Sequence, residues 1–110
     1  MAVRSRNWRP NPPLVLLIED DPDTRAVIEI LLAQSGFDVL AAMDGLEGIE
    51  RARTEAPDVI LLDLLLPWSD GWQVLAMLRR RPAAAHIPVI ALTALQRGVV
   101  ESRQGINFDA

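Results

Sequence analysis

Three stretches of this chain are apolar almost without interruption: LVLLI (Leu14 to Ile18), DVILLDL (Asp58 to Leu64) and HIPVIALTA (His86 to Ala94). A strand with one wet face alternates apolar and polar residues, whereas a continuous run suits a strand covered on both faces. Between these runs the period changes. After Ile18, EDDPD offers Asp21 as a helix N-cap with Pro22 at the first helical position. Val27, Ile30, Leu31 and Gln34 then share one helical face, and Gly36 stops the helix. FDVLAAM (Phe37 to Met43) is another strand, and Asp44-Gly45 turns the chain. Leu46, Ile49 and Ala52 mark a second amphipathic helix that ends near Ala56-Pro57. Trp72 to Arg81 forms a third, with Val74, Leu75 and Leu78 inward. Gln96 to Gln104 forms a short fourth, weakened by Gly98. Four strand–helix alternations predict an α/β fold, a doubly wound parallel sheet with helices on both faces.

A length of 110 residues suits one domain. Residues 1–13 form a basic, Pro-containing arm or linker ahead of a domain spanning 14–110. Acids outnumber basic residues 15 to 11, which argues against a nucleic-acid footprint. Every basic residue is an arginine. There is no cysteine, which excludes disulfides, zinc–thiolate sites and thiol catalysis. No apolar run is long enough to span a membrane, and the N-terminus lacks the apolar core of a secretory signal. A cytoplasmic protein is expected.

In an open parallel sheet, sites form beyond the carboxyl ends of the strands at the switch point. The first strand ends in Glu19 and Asp20, the third in Asp63 and the fourth in Thr93. With the first and third strands adjacent, three carboxylates converge and repel. A hard divalent ion, ordinarily Mg2+, relieves that repulsion through oxygen ligands. An aspartate beside such an ion is also a nucleophile for phosphoryl transfer, forming an acyl phosphate. The Thr93 hydroxyl is placed to hydrogen-bond a phosphoryl oxygen. Taken singly, each acid has a plainer explanation, as a helix-capping turn or a loop acid; Asp21 and Asp23 are assigned to capping. Thr93 taken alone is a strand-end threonine.

VLLIEDDPDTR, PDVILLDLLLPWSDGW and IPVIALTA, in this order, resemble the receiver domain of two-component response regulators. The resemblance runs from about Leu14 to Ala110 and includes the 30-residue interval from Asp63 to Thr93. It implies a flavodoxin-like sheet of order 2-1-3-4-5. It implies Mg2+ held by Glu19, Asp20, Asp63 and the backbone carbonyl of Leu65. Asp63 matches the phosphoacceptor and Thr93 the hydroxyl that contacts the phosphoryl group, while Pro67, Asp70 and Gly71 match the following loop. The implied phosphodonor is a histidine of a sensor kinase or phosphotransfer protein, with no independent substrate turnover.

The family's fifth-strand lysine has no match, because the sequence reaches GINFDA, which resembles the loop before that strand. Strand 5 and helix 5 are therefore expected to be missing from this chain. The fourth strand then becomes an edge, Ile87, Val89 and Ile90 lose cover, and the chain is expected to dimerise or exchange elements. The segment from Thr93 to Gly105 is about one helical turn shorter than the family's. Leu65 and Leu95 match positions that tune hydrolysis, and two leucines there predict a long-lived phosphoryl group. Two other classes compete. A haloacid-dehalogenase-like phosphatase needs a second Asp where Leu65 stands. A flavodoxin-like nucleotide binder needs a Gly- or Ser/Thr-rich loop where this chain is acidic. A degenerate receiver that only binds partners is the nearest alternative.

Overall fold

A computed structural model of the chain describes residues 11–64, 71–92 and 109. Among these residues, strands β1 (Leu14–Ile18), β2 (Asp38–Ala42), β3 (Val59–Asp63) and β4 (Val89–Leu92) alternate with helices α1 (Pro22–Gln34), α2 (Gly45–Glu55) and α3 (Gly71–Arg80). The strands are parallel in the order β2-β1-β3-β4. This is the expected doubly wound sheet, with no fifth strand among the described residues. From β1 the chain steps outward to β2, then crosses back over β1 to β3. Right-handed crossovers in opposite directions place α1 on one face and α2 and α3 on the other. The reversal lies between β1 and β3.

Local chemistry sets the helix ends. Asp21 caps α1, accepting from the Thr24 N–H at 2.8 Å, with Pro22 in the first turn. Gly36, at φ 95°, follows the helix end and adopts the left-handed backbone that glycine tolerates. Asp44 caps α2 through the Glu47 N–H at 2.8 Å, and Glu47 accepts in return from the Met43 N–H at 2.7 Å. Asp44-Gly45 is thus a cap and a first helical residue rather than a free turn. Ala56 closes α2 at φ 47°, a left-handed position without glycine.

The core lies between the sheet and α2 and α3. Leu16, Ile18, Ile60, Leu62 and Val89 meet Ile49, Ala52, Val74, Leu75 and Leu78 there. The inward face expected of α3 is correct. Two expectations change. Val27, Ile30 and Leu31 share a face of α1 but are each 57% exposed, and Leu46 on α2 is 77% exposed. Helical period identifies a stripe; what covers it is set by neighbouring elements. On the α1 side of the sheet, Val15 and Leu17 are buried, while Val59, Leu61, Ile90 and Leu92 are only half-buried.

β4 begins at Val89 rather than at His86, because residues 82–86 form a turn and Pro88 has no N–H for a ladder. Ile87 and Val89 stay buried against the α3 side, so among the three residues expected to lose cover only Ile90 is half-exposed. No helix among the described residues is long and apolar enough to cross a membrane. The expected fourth helix, the loop from Pro67 to Asp70, and Leu65, Thr93 and Leu95 lie outside the described residues.

Candidate functional site

The site forms where β1 and β3 end side by side. The register pairs Leu17 with Leu61 and Ile18 with Leu62. One further step sets Glu19 beside Asp63. The Glu19 N–H still donates to Ala42 O at 3.0 Å, so the β1 ladder carries through to this residue. At Asp20 the chain bends out of the sheet. The result places one carboxylate oxygen from each of Glu19, Asp20 and Asp63 within 4.8 Å of one another. Three residues predicted as one cluster are therefore adjacent.

Two glycines seat this corner. Gly48 of α2 lies directly over the last residue of β1, where an added Cβ would come within 2.7 Å of Ile18 Cγ1. Gly71 opens α3 against the end of β3. Its N–H donates to Leu64 O at 3.0 Å, and an added Cβ would fall 2.7 Å from Asp63 O. The backbone behind Asp63 is thus held by a contact that a side chain would obstruct.

Electrostatics show the strain of this grouping. Glu19 is the one buried charged residue among those described, 6% exposed. Burial, then a hydrogen bond to Asp63 and the proximity of its charge, push the Glu19 carboxyl from its ordinary 4.5 to about 7. The Asp21 N–H, 3.3 Å from Glu19 Oε2, pulls the other way but does not win. Glu19 thus holds its proton well above the ordinary carboxylate range, and it shares a hydrogen bond with Asp63. A cation between the three would replace that shared proton. All three donors are carboxylate oxygens, the set a hard divalent ion prefers over thiolate- or imidazole-seeking metals. Arg25, to which no role is given by sequence pattern, donates to Glu19 O at 3.0 Å. His86 is exposed in its turn, and Trp72 packs partly buried against the core.

Comparison with known proteins identifies the family and the fold. The response regulator receiver domain family matches residues 15–109. The DNA-binding dual master transcriptional regulator RpaA of Synechocystis is 46% identical over 98 residues, covering 89% of this chain and 40% of that protein. Hybrid signal transduction histidine kinase D of Dictyostelium discoideum is 39% identical over 84 residues, covering 76% of this chain and 5% of that protein. The chain thus spans less than half the length of either relative. Among solved structures, the receiver domain of a sensor histidine kinase from Pseudomonas aeruginosa, with a magnesium ion coordinated in its active-site cleft, superposes with a TM-score of 0.72. It is 34% identical over 76% of this chain and 69% of its own. The N-terminal domain of a response regulator receiver protein from Methanoculleus marisnigri also gives a TM-score of 0.72. It is 33% identical over 74% of this chain and 67% of its own.

Proposed function

The chain belongs to the response regulator receiver domain family, and on that premise we propose that Asp63 is the phosphoacceptor of a two-component relay. The observation that carries this reading is the convergence of Glu19, Asp20 and Asp63 at the switch point, with the Glu19 proton held up to about pH 7. The donor set fits Mg2+. Glu19, Asp20 and Asp63 would hold it, together with the Leu65 carbonyl, which lies outside the described residues. When bound, Mg2+ neutralises charge on the acceptor and on the incoming phosphoryl oxygens.

The donor is a phosphohistidine on a sensor histidine kinase or phosphotransfer protein. An Asp63 oxygen attacks phosphorus in line. The O–P bond forms as the P–N bond breaks, and the bonding electron pair stays on the departing imidazole nitrogen; the ring leaves neutral, either with its proton on the other nitrogen or by taking up a proton on the departing one. The strand-end setting of Asp63 suits this step, because β3 and the close approach of Gly71 hold its backbone and the residue is only half-buried. Thr93 contacts a phosphoryl oxygen in this account, and later attack by water returns the free carboxylate.

The test is incubation with a small acyl phosphate donor, with and without Mg2+, followed by intact-mass measurement. The parent gains one phosphoryl group only with Mg2+, and Asp63→Asn gains none. A folded parent that binds Mg2+ and gains nothing would instead indicate a degenerate receiver that acts through phosphorylation-independent contacts.

A further inference from the structure

Consecutive residues of a strand point to opposite faces. Glu19 and Asp20 follow β1 directly, yet a carboxylate oxygen of each lies within 4.8 Å of one on Asp63. The chain achieves this by bending at Asp20. Leaving the ladder has a consequence: the carbonyls of the bend lose their strand partners and need others.

Arg25 supplies them. Its backbone N–H donates to Asp21 O at 2.9 Å. Its Nη1 donates to Glu19 O at 3.0 Å and, more weakly, to Asp20 O at 3.4 Å. The Asp21 bond is the first helical bond of α1, so the side chain of Arg25 engages the two carbonyls before it, those of Glu19 and Asp20. Its side chain is only 20% exposed, and Nε lies 4.0 Å from Glu29 Oε1, which steadies the guanidinium from the solvent side. A planar guanidinium suits this task, because its donors diverge in a fixed fork.

We propose that Arg25 is a positioning residue for the cation site, holding the bend so that the Glu19 and Asp20 carboxylates turn toward Asp63; this rests on the functional reading above. The bonds from Arg25 to the bend end on backbone carbonyls, so it acts on the site through the backbone. Its positive charge acts in the opposite sense, repelling a nearby cation. The two effects predict opposite signs. If positioning dominates, removing Arg25 weakens Mg2+ binding. If repulsion dominates, removing it tightens binding.

The experiment is calorimetric titration of this chain with magnesium chloride at fixed ionic strength and about pH 8, where proton competition for the carboxylates is weaker. Amide hydrogen exchange in EDTA is measured beside it. Arg25→Met is expected to weaken Mg2+ binding roughly 10–100-fold, the range for lost outer-shell partners. Arg25→Lys, which keeps the charge and one donor group, recovers part of it. In EDTA, the Asp21 amide exchanges faster in Arg25→Met, while the amides of Leu16 and Ile60 in the sheet are unchanged. Mg2+ affinity that is unchanged or tighter in Arg25→Met, with unchanged Asp21 exchange, overturns the proposal. If Arg25→Met does not fold, Arg25→Lys and Arg25→Gln carry the same comparison. A parent that takes up no Mg2+ overturns the functional reading instead, and the exchange data then decide by themselves whether Arg25 holds the bend.

Discussion

Raising the pH of the metal-free protein should destabilise it, through Glu19. A carboxyl whose folded pKa lies above its unfolded value holds its proton more tightly in the fold. Its stabilising contribution is complete below the unfolded value and is lost as pH rises through the folded one. For Glu19 those values are 4.5 and about 7. Linkage then gives a loss of about 2 kcal/mol between about pH 5.5 and about pH 8. That is a large part of the stability of a domain this size. Physically, the loss is the cost of ionising a buried carboxyl beside Asp63 with no cation present.

Mg2+ should reverse the trend. It binds the ionised carboxylates, and at a hundredfold excess over its dissociation constant it adds about 2.7 kcal/mol. Its contribution grows as Glu19 gives up its proton, so the pH slope flattens. The assay is urea unfolding followed by far-UV circular dichroism, in EDTA and in Mg2+, across this window. Glu19→Gln is measured in parallel, because it cannot ionise. In EDTA the parent should lose stability toward high pH, the variant should lose about 2 kcal/mol less, and Mg2+ should rescue only the parent to a large degree. Equal pH slopes for parent and Glu19→Gln in EDTA would show that Glu19 does not carry the pH dependence.

Other changes have expected sizes. Gly71→Ala places a methyl against Asp63 O and should cost about 1–3 kcal/mol by crowding, while also weakening Mg2+ binding; an unaltered urea midpoint and Mg2+ affinity would contradict this. Asp21→Ala removes the α1 cap and should cost about 1 kcal/mol in the same assay. Arg79 donates to Ala85 O and Ile87 O and pairs with Asp109, which also accepts from the Val89 N–H. Arg79→Met should therefore cost about 1–3 kcal/mol, and no change in midpoint would count against it. Half-buried Ile90 and Leu92 on β4, with exposed Val27, Ile30 and Leu31 on α1, predict self-association at high concentration; a monomer at every concentration in sedimentation would contradict it.

The sequence made legible what local chemistry decides. An unbroken run such as Leu14 to Ile18 has one stable place, the centre of a covered sheet, and every residue of it after Leu14 is buried. Asp21-Pro22 and Gly36 mark helix ends because capping and left-handed backbone depend on those residues alone. The acidic cluster was legible because strand ends carry sites in such sheets, and Glu19, Asp20 and Asp63 are brought together as expected. What stayed hidden depends on distant parts of the chain. The exposure of Val27, Ile30 and Leu31 reflects what lies over α1, which periodicity does not encode. The need for glycine at position 48 appears only when α2 meets Ile18. Arg25 looks like any helix-surface arginine until the bend places two carbonyls within its reach.

Among the three clustered acids, Asp63 is the one proposed to take the phosphoryl group. Borohydride reduction after incubation with a phosphodonor and Mg2+ tests it most directly. An acyl phosphate is reduced to an alcohol, whereas a free carboxylate is not. Peptide mass spectrometry should then find homoserine at position 63, with Glu19 and Asp20 unchanged, and no homoserine when EDTA replaces Mg2+. Reduction at Glu19 or Asp20, or at none of the three in protein that binds Mg2+, would contradict the account.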